Sequence, residues 1–196
     1  MIGIIDYGAG NLRSLSNAIE RLGHEYMICD EPEKLRLIDK AILPGVGQFE
    51  SAMKQLGLRG WPDPLRAWHR DGNPLLGICL GLHLMFDGSD EAPGVEGLGL
   101  LPGRCQKLTT EIVPHMGWNQ LQTTTVEWEA FSNAYVYFAH SYAPVCERDS
   151  DVAAMAEIHG ASFTVAVRRD NICAVQFHPE KSSRVGAEIL DWMLTC

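Results

Sequence analysis

The sequence predicts a single-domain α/β fold with a mostly parallel central sheet, flanking helices and an antiparallel extension. In the first part of the chain, short apolar strands alternate with helical patterns, and this alternation favours a parallel sheet covered on both faces. From Leu98 to Phe177 the pattern changes to β-rich runs separated by polar or Gly/Pro turns, which favours antiparallel strands. With 196 residues, 46% of them hydrophobic, the chain can bury a substantial core as one domain.

Short apolar runs mark the strands of the predicted parallel sheet. They are Ile2–Ile5, Tyr26–Cys29, Ala41–Leu43 and Leu75–Ile78. The first helix is indicated by apolar residues at helical spacing and by a stop at Gly23. These residues are Leu12, Leu15, Ile19 and Leu22.

The second part of the chain supplies the extension of the sheet and a closing helix. Tyr135–Phe138 and Phe163–Val167 are predicted as strands. Ser182 or Ser183 is expected to cap the last helix, which packs on the sheet through one apolar face. That face carries Val185, Ile189, Trp192 and Met193.

Composition limits the binding partners and the cell compartment that are expected for this protein. The formal net charge of -9 argues against nonspecific nucleic-acid binding, because no basic stripe is available to meet phosphates. No apolar run approaches the roughly 20 residues of a membrane helix, so we expect a soluble protein that does not bind membranes. The cysteines at 29, 79, 105, 146, 173 and 196 form no C-x-x-C pair and no regular framework. Together with the absence of a signal-like N-terminus, this favours a reduced cytoplasm.

A glycine-rich turn, Asp6–Asn11, follows the first strand and admits two interpretations. It begins like a dinucleotide-binding fingerprint, but Arg13 occupies the position of the third glycine. A tight turn in which Asn11 caps the following helix explains the same residues without a nucleotide. We favour the turn and predict no cofactor.

The segment Gly77-Ile78-Cys79-Leu80-Gly81 places a single cysteine between an apolar strand and a predicted helix. Glycines on both sides permit a crowded or left-handed backbone, as in turns that present a nucleophile above a sheet. The first amides of a helix starting near Leu80 would favour a thiolate and later an oxyanion. Alone, however, a buried cysteine is more often a small apolar residue.

A second segment supplies the base that a thiol nucleophile needs. The apolar strand Ala174–Phe177 leads into His178, and Glu180 follows two residues later. If this segment stays extended, as Pro179 encourages, the two side chains project to the same side and the carboxylate can orient the imidazole. A histidine at a strand end is by itself more often structural. The combination with Cys79 predicts cysteine-dependent acyl transfer.

Histidines at 115, 140, 159 and 178 do not show paired metal-ligand spacing. A zinc site needs several ligands at characteristic separations. We therefore predict no metal.

At this point the chain resembles the class I, or triad, glutamine amidotransferases, in which the nucleophile, base and carboxylate follow this order. The resemblance implies a single type-1 glutamine amidotransferase domain over residues 1–196, with Cys79, His178 and Glu180 as the catalytic triad. The turn Pro44–Gly47 matches the family's oxyanion loop. The resemblance therefore assigns oxyanion donors to Val46, Gly47 and Leu80.

The resemblance narrows to the glutaminase subunits of imidazole glycerol phosphate synthase. The matching segments are Met1–Asn11, Pro44–Gly47, Pro114–Asn119, Tyr137–Tyr142 and Phe177–Ser183. It implies hydrolysis of L-glutamine through a cysteine thioester. The ammonia would pass to a separate (β/α) barrel cyclase subunit that forms imidazole glycerol phosphate and an aminoimidazole carboxamide ribotide. Because this chain has no length left for a barrel, the cyclase is expected to be a partner protein in a heterodimer.

The same resemblance implies further site residues. Glu91 would contact the α-amino group of glutamine, and the backbone of Ser141 and Tyr142 its carboxylate. As a plain sequence feature, Glu91 is equally consistent with a solvated loop charge. Candidates for the partner interface or an ammonia gate are Asn11, His115, Trp118 and Tyr137, although His115 and Trp118 also suit ordinary, partly buried strand positions.

The chain departs from the family pattern G-x-C-x-G-x-Q, because His83 stands at the last position. The family's glutamine helps to position the substrate, and a neutral histidine offers one donor and one acceptor on a flatter side chain. A protonated His83 beside Cys79 would instead favour the thiolate. The change also leaves open a paralogous pair that feeds ammonia to another acceptor. Two other classes remain open: a cysteine peptidase or related hydrolase, and a noncatalytic binding module.

Overall fold

The structure is a computed structural model that describes residues 1–110 and 112–195. Cys196, one of the six cysteines of the chain, lies outside the described residues. The α-helices of the described chain are α1 (Leu12–Arg21), α2 (Phe49–Leu58), α3 (Pro62–Arg70), α4 (Leu80–Leu84) and α5 (Ser183–Thr195). Its strands are β1 (Ile2–Ile5), β2 (Tyr26–Cys29), β3 (Lys40–Gly45), β4 (Leu75–Cys79), β5 (Phe86–Ser89), β6 (Leu101–Lys107), β7 (His115–Gln120), β8 (Gln122–Thr123), β9 (Tyr135–His140), β10 (Tyr142–Cys146), β11 (Val152–Ile158), β12 (Ala161–Arg169) and β13 (Ile172–Val175).

In the described residues the main sheet has eight strands in the order β2-β1-β3-β4-β13-β12-β11-β8. The five strands from β2 to β13 run parallel, whereas β12, β11 and β8 continue the sheet in antiparallel fashion. This arrangement confirms the predicted α/β fold and its antiparallel extension. It also brings β13, from the end of the chain, directly beside β4.

The glycine turn after β1 is a helix-capping turn. Gly8 and Gly10 have φ angles of +91° and +132°, which favour glycine. The Asn11 side chain accepts a hydrogen bond from the Ser14 amide and caps α1. The turn interpretation of Asp6–Asn11 therefore accounts for these residues without a nucleotide.

Apolar side chains fill the space on both faces of the main sheet. On one face, α1 and α5 pack through residues such as Leu15, Ile19 and Ile189, together with Phe138 and Phe177. On the other face, α2, α3 and α4 pack beneath a second sheet of the order β10-β6-β5. Burial of these side chains stabilises the layers because apolar area leaves water.

Strands β7 and β9 form an antiparallel pair that we call the ribbon, residues 115–120 and 135–140. Its inner face carries buried Val136 and Phe138, whereas Met116, Trp118 and Tyr135 are exposed on the other face. This alternation is typical of a ribbon with one face on the core and one face on the surface. Among the described helices, none is long and apolar enough to cross a membrane.

Candidate active site

Three strand ends meet at the carboxyl edge of the parallel sheet. In the register of the sheet, Gly45 of β3 lies opposite Cys79 of β4, and Val175 of β13 lies opposite Ile78. The loops that follow these strands therefore leave the sheet side by side, which is where open α/β sheets bind ligands. The oxyanion-loop, cysteine and histidine motifs of the sequence thus converge here.

Cys79 occupies a sharp turn between β4 and α4. Its φ and ψ angles are 53° and -113°, a conformation that non-glycine residues rarely adopt and that is concentrated at functional sites. The side chain is buried, and α4 begins at the next residue, Leu80. The first N–H groups of a helix have no hydrogen-bond acceptor within the helix. The Leu80 amide is therefore suited to bind negative charge.

The neighbouring glycines serve close packing. A Cβ atom on Gly81 would collide with the Leu43 carbonyl oxygen, and one on Gly45 would lie 2.8 Å from the Gly81 nitrogen. Gly77 is similarly limited by the Ala174 side chain. Of the two reasons that the sequence suggested for these glycines, crowding applies. The left-handed backbone belongs to Cys79 itself.

His178 and Glu180 are the second half of the predicted triad. The His178 Nδ1 and Glu180 Oε1 atoms are 2.9 Å apart, and both side chains are about 5% exposed or less. The predicted extended path is wrong beyond His178, because Pro179–Lys181 forms a 3-10 turn. The turn, rather than strand alternation, brings the carboxylate to the imidazole.

The pKa of His178 shows how strongly its neighbours favour the charged ring. Burial opposes the charge, but hydrogen bonds and charge interactions with Cys79 and Glu180 together raise the pKa to about 9. His178 thus faces a thiol on one side and a carboxylate on the other. This is the arrangement that a cysteine nucleophile needs for proton transfer during acyl chemistry.

Ser182 is a site residue that the sequence interpretation missed. Its hydroxyl donates to the His178 carbonyl oxygen at 2.7 Å and accepts from the Tyr137 amide at 2.9 Å. Ser182 directly precedes α5, and its carbonyl oxygen accepts from the Gly186 amide. Its hydroxyl ties the loop of His178 to the ribbon. Its burial beside the histidine motif is visible only in three dimensions.

Gln176 is a second missed residue. It is fully buried, and its amide lies between His83 and the Cys79 sulfur. A polar residue inside the apolar run Ala174-Val175-Gln176-Phe177 was the available signal, since a buried polar group needs a partner.

A cavity of about 370 Å³ opens above Cys79. All seven of the predicted oxyanion and substrate residues line it. These are Val46, Gly47, Leu80, His83, Glu91, Ser141 and Tyr142, together with Cys79 and His178. A larger cavity of about 510 Å³ lies between β6, β10, β11 and β12, and none of the predicted catalytic residues lines it. Chemistry rather than size therefore identifies the candidate site.

Glu91 is partly buried at the rim of this cavity. Burial raises its pKa, and the hydrogen bond from the Phe49 amide, with a nitrogen–oxygen distance of 3.2 Å, opposes that shift. Phe49 is the first residue of α2, so the carboxylate lies at the N-terminus of a helix that directly follows the oxyanion loop. Glu91 is thus not the fully solvated loop charge that the sequence alone allowed.

His83 is connected to the Cys79 sulfur through the Gln176 amide, which contacts both side chains. Burial lowers its pKa to about 4, and the hydrogen bond to Gln176 only partly opposes the shift. The idea that a protonated His83 favours the thiolate is therefore wrong, because this ring is neutral at physiological pH. Its Nε2 atom is 2.6 Å from Gln176 Oε1.

The four interface candidates occupy two kinds of position. Asn11 is exposed, and Trp118 and Tyr137 form an edge-on pair on the outer face of the ribbon with ring centroids 6.2 Å apart. His115 is only 5% exposed, and its Nδ1 atom is 3.0 Å from His140 Nε2. The prediction of His115 as a surface contact is therefore wrong, because the alternation along β7 turns it toward the core. Its role as an ammonia gate stays a prediction.

Comparisons with known proteins agree with the geometry. Residues 3–194 match the glutamine amidotransferase class-I family. The chain is 45% identical over 194 residues to the imidazole glycerol phosphate synthase subunit HisH of Methanothermobacter thermautotrophicus, covering 97% of this chain and 96% of that protein. It is 45% identical over 201 residues to the HisH subunit of Halalkalibacterium halodurans, covering 97% and 93%.

Solved structures share the fold at much lower identity. A crystal structure described as a glutamine amidotransferase superposes with a TM-score of 0.77 at 22% identity, covering 99% of both chains. The structure of PurLQS from Thermotoga maritima gives a TM-score of 0.77 at 18% identity, covering 98% of this chain and 96% of that one. These two similarities establish the fold alone. On the family match and the two HisH relatives, this chain belongs to the class-I glutamine amidotransferase family and, within it, to the HisH subunits of imidazole glycerol phosphate synthase.

Proposed function

We propose that this protein is the glutaminase subunit of an imidazole glycerol phosphate synthase and works in histidine biosynthesis in the cytoplasm. The observation that carries the proposal is that Cys79 and His178 line one cavity while the buried Glu180 carboxylate holds the His178 ring from behind at 2.9 Å. Membership of the family supports the side-chain amide of L-glutamine as the group that Cys79 attacks.

The reaction begins with attack of the Cys79 sulfur on the side-chain amide carbon of glutamine. The His178 imidazolium gives a proton to the amide nitrogen as the carbon–nitrogen bond breaks, and ammonia leaves. His178 then takes a proton from water, which attacks the thioester and releases glutamate. Glu180 orients the ring throughout. The negative oxygen of each tetrahedral intermediate is stabilised by the Leu80 amide and by an amide of Val46 or Gly47.

Substrate recognition uses the remaining cavity residues. The Glu91 carboxylate suits the α-ammonium group of glutamine, and the Ser141 and Tyr142 backbone suits its α-carboxylate. The Glu91 carboxylate also accepts a hydrogen bond from the Phe49 amide at the start of α2. Binding of the ammonium group is therefore connected through one side chain to the helix beyond the oxyanion loop.

The partner is a separate (β/α) barrel cyclase subunit that binds the outer face of the ribbon. Trp118 and Tyr137 form an aromatic pair there, and the Lys181 ammonium lies 6.0 Å from the Tyr137 ring centroid. Aromatic residues are enriched in the energetic centres of interfaces. Met116, on the same face, also lines the active-site cavity, so a partner seated on the ribbon would reach the ammonia source.

The deciding experiment measures glutamate release from glutamine by the purified chain, with and without its cyclase and the ribonucleotide ligand. Cys79→Ala is the blank. We expect release that rises with the partner and is lost in the variant. Peptide cleavage without any partner would instead support the peptidase, and the absence of Cys79-dependent chemistry would support a binding module. Release that responds to a different acceptor enzyme would move the protein to another pathway.

A further inference from the structure

His83, Gln176 and Cys79 form a buried chain of polar contacts that does not include His178 or Glu180. The His83 Nε2 and Gln176 Oε1 atoms are 2.6 Å apart, and the Gln176 Nε2 atom donates to the Cys79 sulfur at 3.9 Å. All three side chains are at most 7% exposed.

An amide can face a cysteine in two ways with opposite chemical effects. With its nitrogen toward the sulfur it donates a hydrogen bond, which stabilises a thiolate. With its oxygen toward the sulfur it accepts from the thiol and repels the thiolate. A residue that selects one orientation of Gln176 therefore selects the form of the nucleophile.

We infer that His83 is a positioning residue that holds Gln176 in the orientation donating an N–H group to the Cys79 sulfur. In this arrangement Gln176 Oε1 needs a donor, and the neutral His83 ring supplies it from Nε2. The hydrogen is thereby assigned to Nε2 from the hydrogen-bond partners. His83 Nδ1 remains a buried acceptor without a partner among the described residues.

The low pKa of His83, about 4, is consistent with a neutral ring in this role. The family's usual glutamine at this position reaches about as far as histidine Nε2 and also carries a donor. A glutamine at position 83 should therefore be able to make the same contact to Gln176. The inference rests on the proposed function and deepens it, since it explains how the thiolate of the glutaminase nucleophile is stabilised. The contact itself does not require bound L-glutamine.

The experiment compares iodoacetamide alkylation of Cys79 at pH 7 in the full-length chain, resolved by mass spectrometry of the Cys79 peptide. The variants are His83→Gln, His83→Met, Gln176→Met and the His83→Met/Gln176→Met double variant. Methionine matches glutamine in length but has no donor. Loss of one hydrogen bond to a charged acceptor predicts roughly tenfold slower alkylation in His83→Met, with His83→Gln close to wild type.

If His83 acts through Gln176, the double variant is no slower than Gln176→Met alone. An unchanged rate in His83→Met, equal slowing by both His83 variants, or full additivity in the double variant would overturn the inference. Nitrogen NMR of the wild-type His83 ring tests the same point without any substitution. A hydrogen on Nε2 supports the inference, and a hydrogen on Nδ1 overturns it.

Glutamate release separates this inference from the proposed function. If the variants show the expected alkylation pattern but wild type releases no glutamate with its cyclase, the positioning role of His83 stands and the proposed function is wrong. A chain that releases glutamate but alkylates equally fast in wild type and His83→Met would retain the function and lose the role of His83.

Discussion

The fold has opposite effects on two buried histidines that line the cavity with Cys79. His178 and His83 are equally buried, at 4% exposure each. The pKa of His178 is raised to about 9 by Cys79 and Glu180 against the effect of burial, whereas burial lowers that of His83 to about 4. The comparison teaches that partner chemistry, a carboxylate on one side and an amide on the other, decides which ring carries charge.

The largest expected effect comes from removing the charge on the His178 side. Glu180→Gln keeps the size of the side chain but removes the carboxylate that orients and charges the ring. We expect kcat for glutamate release to fall roughly 10²- to 10³-fold and the pKa of His178 to fall toward its ordinary value. Steady-state kinetics with the cyclase and NMR titration of His178 measure the two effects.

Glu188→Gln is the matched control, because Glu188 pairs only with exposed Arg184 within the described contacts. It should leave both the rate and the titration unchanged. Equal rates for Glu180→Gln and wild type would mean that the carboxylate does not assist His178.

The second prediction compares how His83 and His178 make the stability of the protein depend on pH. His83 has a folded-state pKa below its unfolded value, so it destabilises the protein as pH falls from about 6.5 toward about 4. His178 has a raised folded-state pKa, so its stabilisation is present below about 6.5 and is lost as pH rises through about 9. The two histidines therefore act at opposite ends of the pH range.

Urea unfolding of wild type and His83→Gln at pH 8 and pH 5 measures the acid side. Glutamine does not titrate. On going from pH 8 to pH 5, the free energy of unfolding of wild type should therefore fall by about 2 kcal/mol more than that of the variant. His115 and His140 are present in both proteins and cancel. A difference independent of pH would contradict a neutral, buried His83.

A third, smaller effect concerns the support of the His178 loop. Ser182→Ala leaves the Tyr137 amide without the hydroxyl that it contacts at 2.9 Å. A buried donor left without a partner lowers the free energy of unfolding by about 1–3 kcal/mol. Denaturant unfolding checks the value, with exposed Ser183→Ala as the neighbouring control. Equal stability of the two variants would show that the hydroxyl does not secure this loop.

The smallest effect on the free chain is expected at the ribbon, away from both histidines. Trp118 is 50% exposed, so Trp118→Ala should change the free energy of unfolding by less than about 0.5 kcal/mol and leave Cys79 alkylation unchanged. Cyclase affinity, measured by calorimetry, should fall at least about tenfold. Val126→Ala, at another exposed apolar position, is the control, and equal affinities would exclude Trp118 from the interface.

Local patterns predicted much of this fold and of its triad. Strand β1, helix α1 and its Asn11 cap are explained by short-range periodicity and capping. Cys79 ends β4, and His178 follows the end of β13 at Val175 by three residues. The contact of His83 with Gln176 could not be predicted, because it joins residues 93 positions apart. The 3-10 turn at Pro179–Lys181 was also missed, since proline favours extension of the residue before it but does not determine the conformation of the residues after it.

The packing of Gly45 against Gly81 limits how the site can rearrange. With no side chain between them, the end of β3 and the first turn of α4 meet backbone to backbone and should move as one rigid unit. Gly47 has a φ of +96° and open space around it within the described residues. We therefore expect any adjustment of the predicted oxyanion loop to occur by rotation of the peptide groups just beyond Gly45, while the cysteine stays in place.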